Sequence, residues 1–422
     1  MTPVELSRTV LRAVRRAVED GELRVVVPER ASVTVPGAGG WGDYATNIAL
    51  QLARPAGETP RRVAELLLPH LAGAHGVSGV EITGPGFLNI SLGSTASTSL
   101  VAEILRRGPR YGFVDDLTLD DLTLEDLTLD DPTIGDDAHA TGHGPHTPAA
   151  HLVRLHAPHE PRALVVMDVV ARLLRSQGAH VRTSCETQPP EPAWATVLGI
   201  SGVAPYSAPQ EPSPLDLDLD LDLHVDVDVD VRPVPLPAPD VADLLALGRD
   251  AARWALLHPA AHDRPRPTAD HLVQREANPL FRVRYAYART RAVSRNAADL
   301  GFTAQPGDVR DTQDVQGDVR DTQDVQGDVQ EVTTSLAQEV TTLLADHPRV
   351  LSRAATHRAP DLLARHLVAV ADATLPFLPA VLPLGDEKPL AAHRARLALA
   401  EAAGAVLAGG LSLLGIDAPE HL

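Results

Sequence analysis

The first twenty residues place apolar side chains at the spacing of an amphipathic helix. Thr2 and Glu5 have the spacing of a capping box, and Pro3 takes the first helical position, where its missing N–H costs nothing. The pattern therefore predicts a helix that begins after Thr2 and ends at Gly21. The apolar positions that define its buried face are Leu6, Val10, Ala13, Val14, Ala17 and Val18.

Helix and strand patterns alternate over the following segment. A second helix is predicted over Arg61–Leu71, and two strands, Val80–Thr83 and Phe87–Leu92, flank the turn at 84–86. Apolar residues alternate along the second strand, so Phe87 and Asn89 share its other face. An exposed ring can stack on one nucleic-acid base while an exposed amide hydrogen-bonds another. Packing of Phe87 beneath a neighbouring element is the alternative, which composition alone favours.

Three acidic repeats interrupt these patterns. Asp116–Asp131 repeats a five-residue unit, Leu215–Val231 alternates Leu or Val with Asp, and 307–326 uses a ten-residue unit twice. High charge and short identical repeats predict solvated, disordered linkers. The alternating tract has the period of a strand, but one face would carry like charges that oppose pairing. A calcium site is a weaker alternative, because no glycine-turn loop accompanies the aspartates.

Charge and composition narrow the class of partner. The 422-residue chain has a formal net charge of −19, but its acidic tracts hold 25 acids and two arginines, which leaves +4 for the rest. The acidity therefore does not exclude a nucleic-acid partner. The single cysteine, Cys185, excludes an internal disulfide. Because no apolar run of 18 residues and no signal-like start occur, we expect a cytoplasmic protein without a membrane span.

Two motifs in the first segment resemble a known family. Residues 42–50 read Gly-Asp-Tyr-Ala-Thr-Asn-Ile-Ala-Leu, and residues 84–90 read Gly-Pro-Gly-Phe-Leu-Asn-Ile. Both resemble signatures of the N-terminal domain of arginyl-tRNA synthetases. In that family the domain contacts the D-loop at the outer corner of tRNA. The resemblance implies that Phe87 and Asn89 bind tRNA.

The segment Leu152–Thr183 resembles the opening strand, helix and strand of a class I synthetase nucleotide-binding domain. The family's His-x-Gly-His signature, whose imidazoles stabilise the triphosphate, has its counterpart at 156–159, where proline replaces the glycine. The family's second signature, Lys-Met-Ser-Lys-Ser, has no counterpart, since the single lysine is Lys388. We therefore expect no catalytic residues beyond the degenerate His156 and His159, no ATP binding and no enzymatic activity.

A cluster of seven histidines lies between His139 and His180. Zinc binding is an alternative use for them, but no cysteine or patterned carboxylate joins them on a predicted element. We therefore expect no metal site.

The C-terminal third resembles the anticodon-binding domain of the same family. Residues 278–291 read Asn-Pro-Leu-Phe-Arg-Val-Arg-Tyr-Ala-Tyr-Ala-Arg-Thr-Arg, and the tail ends Ala-Pro-Glu-His-Leu. A connecting helix is predicted over Val241–His258, and later helices over Asp361–Thr374 and Ala391–Ala408, the last closed by Gly409-Gly410.

The helix that begins near Pro279 carries a basic stripe. At 100° per residue Arg284, Arg291 and Arg295 fall within about 40° of one another, and two tyrosines lie alongside. Arginine forks suit phosphates and tyrosine rings suit unstacked bases, whereas solvated arginines and core tyrosines are the alternative. The candidate tRNA-binding residues on this helix are Arg284, Tyr285, Tyr287, Arg291 and Arg295.

These observations predict a mostly helical, multidomain chain: an α+β N-terminal domain, a remnant α/β nucleotide-binding unit and an all-α anticodon-binding bundle. The expected function is non-catalytic binding of tRNA, an arginine tRNA, by two grips joined through flexible linkers. The alternatives are an accessory subunit or enzyme in an arginyl-tRNA-dependent pathway and a scaffold that has lost RNA. In chain order, we predict the N-terminal domain over 1–113, an acidic linker over 114–150, the nucleotide-binding remnant over 151–185 and a proline-rich, acidic linker over 186–239. A helical connector follows over 240–277, and the anticodon-binding bundle covers 278–422, with an insertion at about 303–332.

Overall fold

The computed structural model of the protein describes residues 2–34, 36, 42–114, 152–186, 189–200, 203–205, 225–310, 323–385 and 387–422. Within these ranges the chain is mostly helical, as predicted, and it also contains two four-stranded sheets. The helices are α1 (Pro3–Glu19), α2 (Ile48–Ala56), α3 (Pro60–Ala72), α4 (Ser94–Arg107), α5 (Pro161–Ser176), α6 (Pro192–Leu198), α7 (Asp240–Ala246), α8 (Gly248–Leu257), α9 (Pro279–Asp299), α10 (Gln323–Thr356), α11 (Pro360–Phe377) and α12 (Ala391–Leu414). The strands are β1 (Val33–Thr34), β2 (Tyr44–Thr46), β3 (Val77–Thr83), β4 (Phe87–Leu92), β5 (Leu152–Ala157), β6 (His180–Cys185), β7 (Ala204–Pro205) and β8 (Val225–Asp230).

Helix α1 begins as the sequence predicts. The Thr2 hydroxyl accepts from the Glu5 backbone N–H at 3.2 Å, and the Glu5 carboxylate accepts from the Thr2 N–H at 2.6 Å. Its apolar face is buried, with Leu6, Val10 and Val14 fully enclosed. The helix therefore lies against the sheet and α3 by one face and leaves its polar face outward.

The first sheet is antiparallel, in the order β1-β2-β4-β3. Strand β4 is central, and β3 begins at Val77, earlier than predicted. Helix α2 was not predicted. It tolerates Pro55 because that residue lies in its last turn, and Gly57 ends it at a φ of 69°.

The second sheet is parallel, in the order β7-β6-β5-β8. The prediction that 186–239 is only a linker is wrong for its described parts, since 192–198, 204–205 and 225–230 form α6, β7 and β8. The like charges of β8 do not prevent pairing, because its neighbour β5 places Arg154 opposite Asp228 and His156 opposite Asp230. Of the other acidic repeats, only residues 307–310 and the start of α10 are described; the remainder, including Asp116–Asp131, lies outside the described residues.

Helices α9 to α12 form the C-terminal bundle that the sequence predicts. Helix α12 does not end at the glycine pair but runs through it to Leu414 and is capped by Gly415 at a φ of 70°. A Cβ on Gly409 would lie 2.2 Å from the carbonyl oxygen of Pro109, and one on Gly410 would lie 2.4 Å from Leu367. The glycines therefore permit close packing of α12 rather than its termination.

Two helices are long and apolar enough to span a membrane by length and composition, namely 360–380 and Ala391–Leu414. Both are mostly buried inside the bundle. Their apolar character is accounted for by packing within this part of the protein.

The N-terminal domain packs directly on the bundle. Arg349 of α10 donates to the carbonyl oxygen of Val33 at 3.2 Å, and Gln338 of the same helix hydrogen-bonds Asp43. Tyr111, just after α4, belongs to the same apolar core as α10 and α11. The expectation that flexible linkers leave the distance between the two grips loosely set is therefore wrong, since the two domains pack directly on each other.

Two fully buried arginines hold α5 of the parallel sheet unit to the segments packed against it, and one of them, Arg253, also reaches the bundle. Arg162 donates to five backbone carbonyl oxygens, including those of Asp263 at 2.6 Å and Val234 at 2.7 Å. Arg253 contacts Asp168 at 2.5 Å and donates to the carbonyl oxygen of Leu414 at 2.8 Å. The described residues between 152 and 257 and the end of the chain thus form one packed body.

Candidate nucleic-acid interface

Phe87 lies at the start of β4 and is 39% exposed. The preceding turn holds it in place, because Gly86 has a φ of 141° and approaches Pro60 at the start of α3. A Cβ on Gly86 would lie 2.7 Å from the Pro60 carbonyl oxygen, so the close approach requires glycine. The ring is therefore presented at the edge of the domain and is available for stacking.

Asn89 differs from the expectation of an exposed amide beside that ring. It is only 4% exposed and donates to the Thr83 hydroxyl at 3.0 Å. Phe87 and Asn89 do lie on the same face of β4, as predicted. However, β4 is a central strand, so β2 and β3 flank Asn89 on both sides and bury it. In the structure its amide is committed to the β3–β4 hairpin.

Helix α9 starts as predicted, with the Asn278 side chain accepting from the Leu280 N–H at 3.1 Å. One face is buried in the bundle, where Thr290 contacts the glycine at 404 of α12. The other side carries the predicted candidates except Tyr287, which packs against the core.

The arginines of α9 form two groups rather than one continuous stripe. Arg284 contacts Asp250 of α8 at 3.5 Å, while Arg291 and Arg295 contact Glu420 at 3.2 Å and 3.8 Å. Burial raises the pKa of Asp250, although a hydrogen bond from the Asp417 N–H and the charge of Arg284 oppose that rise. The sequence spacing placed the arginines on one face correctly, but it could not reveal that the C-terminal tail folds back along that face.

The two tyrosines of α9 occupy different environments. Tyr285 is 38% exposed and stacks on Phe281, with ring centroids 5.4 Å apart. Tyr287 is half-buried and packs against the main core. Tyr285 is thus the ring that a base could reach, whereas Tyr287 helps to hold α9 against the core.

Arginines of α1 form a further basic surface, which the sequence reasoning missed. Arg8, Arg12 and Arg16 are exposed and line a groove of about 580 Å³ between α1, the end of α3 and α4. The signal was present in the sequence, since four-residue spacing aligns side chains on one helix face. The prediction for this helix used only its apolar residues and did not consider its arginines.

The carboxyl edge of the parallel sheet carries the two histidines of the degenerate signature. His156 hydrogen-bonds Ser184 at 2.6 Å and lies 3.5 Å from Asp228. His159 lies over Trp194, with ring centroids 4.8 Å apart, and its Nε2 is buried without a hydrogen-bond partner. In sheets of this order, ligands bind outside the carboxyl ends of the strands, where the order reverses between β5 and β8.

Among the described residues, no group of three or more His, Cys, Asp and Glu side chains could hold a metal ion. Four of the seven clustered histidines (His139, His143, His146 and His151) lie outside those residues. The prediction of no metal site stays a prediction.

Two family models match the ends of the chain. Residues 5–92 match the arginyl-tRNA synthetase N-terminal domain, and residues 283–422 match the DALR anticodon-binding domain. These matches coincide with the α+β domain that presents Phe87 and with the bundle that contains most of α9.

Solved structures share the fold. The chain aligns over its whole length with the arginyl-tRNA synthetases of Thermus thermophilus and Plasmodium falciparum, at TM-scores of 0.55 and 0.54. The alignments cover 100% and 99% of those chains, at 14% and 10% identity. The chain therefore shares the overall fold of these two solved structures.

The chain is related, in particular, to the arginyl-tRNA synthetases. It is 41% identical over 184 residues to the arginine–tRNA ligase of Renibacterium salmoninarum and 45% identical over 112 residues to that of Frankia alni. The matches cover 43% and 26% of this chain but only 30% and 20% of the ligases.

The prediction that the chain is not an enzyme is wrong. The relatives that match it are named arginine–tRNA ligases, at 41% and 45% identity, and its fold is that of arginyl-tRNA synthetases. The absence of a signature motif led to that prediction, and nothing in the structure or the comparisons demonstrates degeneracy.

Proposed function

We propose that this chain binds an arginine tRNA in the cytoplasm through both of its terminal domains. The N-terminal domain would contact the tRNA around Phe87 and Asn89, and the bundle would contact it along α9. The observation that carries the proposal is the direct packing of the two matched domains through α10. Because this packing fixes their separation, one rigid RNA can engage both without an entropic cost of ordering a linker.

The contact chemistry differs between the two surfaces. Phe87 offers an exposed ring for stacking, and the buried Asn89 would act by holding the β3–β4 hairpin. On α9, Tyr285 offers a second ring, which stacks on Phe281, while Tyr287 packs against the core. The α9 arginines would exchange their carboxylate partners for phosphates as the RNA binds; these are Arg284, Arg291 and Arg295.

Filter binding of an arginine tRNA transcript at several salt concentrations tests this function. Replacing Phe87 by Ala should weaken binding by about 1–3 kcal/mol, at least roughly fivefold, because one stacking platform is lost. Val26→Ala, at a 90% exposed position of the same domain, is the matched control.

The same assay tests α9. Arg291→Gln with Arg295→Gln should weaken binding and lower the salt dependence, whereas Arg264→Gln with Arg266→Gln, at exposed positions outside the helix, should not. Equal binding of the transcript and of polyglutamate by the unchanged chain would reject tRNA as the partner.

A second candidate function is arginine–tRNA ligation, the activity in the names of the relatives. The order of the parallel sheet and the buried, unpaired Nε2 of His159 at its carboxyl edge favour a ligand site there. The sequence predicts instead that the chain does not bind ATP, so a measurement of ATP binding distinguishes the two possibilities.

Two measurements decide between these outcomes. Equilibrium dialysis with ATP gives the affinity, and arginine-dependent ATP–pyrophosphate exchange gives the activity. Loss of both in His159→Ala, but not in His262→Ala at an 85% exposed site, would support ligation. No exchange by the full chain, alone or with cell extract, would reject it.

A further inference from the structure

A row of arginines lies along the outer face of α1. Arg8, Arg12 and Arg16 are exposed, and within the described part of the chain none of their side chains makes an ion pair or a hydrogen bond in the structure. The three predicted arginines of α9, by contrast, each contact a carboxylate. Successive members of the row rise roughly 6 Å along the helix axis, so the three cover about 12 Å.

The row borders a groove rather than a flat surface. The cavity has a volume of about 580 Å³, and its other walls are the end of α3 and the face of α4. Small residues line these walls, including Gly73, Ala74, Gly76 and Ala96. Glu5 is the one carboxylate on the lining, so three arginines leave the groove with a net positive charge.

We propose that this groove binds the phosphate backbone of RNA, as a third contact beside the two surfaces described above. Arginine forks bind phosphate oxygens without reading sequence, and a groove walled by small residues leaves room for a strand. A lipid surface does not fit, because the apolar face of α1 is buried and offers nothing to insert.

The position of the groove fits RNA already held at Phe87. Helix α3 links the two sites, since Pro60 at its start contacts the turn before Phe87 and Gly73 at its end lines the groove. A helix of 13 residues spans about 20 Å, which is within reach of one folded RNA. The inference thus rests on the proposed tRNA-binding function and extends its surface.

The test compares two triple variants of the full chain with the same change in charge. The groove variant carries Arg8→Gln, Arg12→Gln and Arg16→Gln, and the control carries Arg24→Gln, Arg30→Gln and Arg54→Gln, exposed arginines that do not line the groove. Filter binding of an arginine tRNA transcript is measured from low to high salt, and polyglutamate serves as a competitor. Circular dichroism checks that both variants fold.

The groove variant should bind at least tenfold more weakly at low salt. Its plot of log affinity against log salt should be shallower by about 2, since each phosphate contact contributes roughly 0.7–0.9 to the slope. Groove and control variants that behave alike would overturn the inference, while the effect of Phe87→Ala would still report on the proposed function. Polyglutamate that displaces the tRNA in the unchanged chain but not in the groove variant would assign the groove to an acidic peptide instead. No tRNA binding by the unchanged chain would overturn both proposals.

Discussion

Arg253 is fully enclosed where the parallel sheet unit meets the bundle, and its charge is balanced by Asp168. Burial lowers the pKa of the Arg253 guanidinium, while the adjacent Asp168 carboxylate raises it. An enclosed cation of this kind is stable only while its counter-charge and its carbonyl acceptors stay in place.

Asp168→Asn should therefore destabilise the protein by about 3 kcal/mol or more, because it leaves the buried guanidinium without a counter-charge. Urea unfolding monitored by circular dichroism measures the change in the free energy of unfolding. Glu65→Gln, which removes the partner of the exposed Arg61 and Arg62, is the control and should change it by less than about 0.5 kcal/mol. Equal effects of the two substitutions would show that the buried pair carries no special weight.

Among the secondary-structure elements, α12 shows how packing overrides a local signal. Its glycine pair has the composition of a helix end, yet the helix continues because Pro109 and Leu367 lie where side chains would be. For Gly409→Ala, helix propensity and tight packing predict opposite changes in stability. Helix propensity alone would stabilise the protein by about 1 kcal/mol, whereas the clash with the Pro109 carbonyl should destabilise it by about 1–3 kcal/mol.

Thermal unfolding distinguishes these signs. We expect a lower Tm for Gly409→Ala, while Ser412→Ala, at an exposed position of the same helix, should leave the Tm unchanged or raise it. A raised Tm for Gly409→Ala would mean that α12 can move away from Pro109 without loss.

The C-terminal tail is an element that the sequence did not connect to α9. Because Glu420 neutralises Arg291 and Arg295, Glu420→Gln should free both guanidinium groups and tighten tRNA binding by roughly two- to fivefold, about 0.4–1 kcal/mol. Filter binding measures the affinity, and Glu58→Gln, at an exposed site of the N-terminal domain, is the control. Weaker binding by Glu420→Gln would indicate that the tail itself contacts the RNA.

Elements with a strong local period were predictable, and those that depend on a distant partner were not. Helix α1 followed from its capping box and apolar spacing, and β4 followed from alternation and a glycine turn. Strand β8 could not be predicted, because its neighbour β5 supplies the arginine and the histidine that lie opposite its aspartates. For the same reason the faces of Phe87 and Asn89 were predicted, but the burial of Asn89 by adjacent strands was not.

At the scale of the whole molecule, the N-terminal domain and the bundle meet at a buried aromatic stack. Tyr111, from the segment after α4, stacks on His347 of α10 at 6.0 Å, and His347 stacks on His366 of α11 at 5.2 Å. The Tyr111 hydroxyl and one nitrogen of each histidine are buried without a hydrogen-bond partner. Burial lowers the pKa of His366 to about 4, and burial together with the neighbouring His366 lowers the pKa of His347.

This stack should make the packing of the two domains sensitive to acid. In the folded protein His366 stays neutral down to about pH 4, whereas in the unfolded chain it takes up a proton below about pH 6.5. The unfolded state therefore binds more protons between pH 6.5 and 4, and stability falls as the pH falls through that window. For His366 the loss by pH 4 is about 3 kcal/mol, and His347 adds to it in the same direction.

Urea unfolding at pH 7.5, 6, 5 and 4 measures this dependence. His366→Gln removes one titrating group from the stack, so its stability should fall less between pH 6.5 and 4 than that of the unchanged protein, even if its stability at pH 7.5 is lower. His262→Gln, at an 85% exposed site, should follow the unchanged protein. Parallel curves for all three proteins would mean that His366 is protonated alike in the folded and unfolded states. A smaller fall for His366→Gln alone would instead identify the stack as the acid-sensitive point in the contact that holds the two proposed tRNA-binding surfaces together.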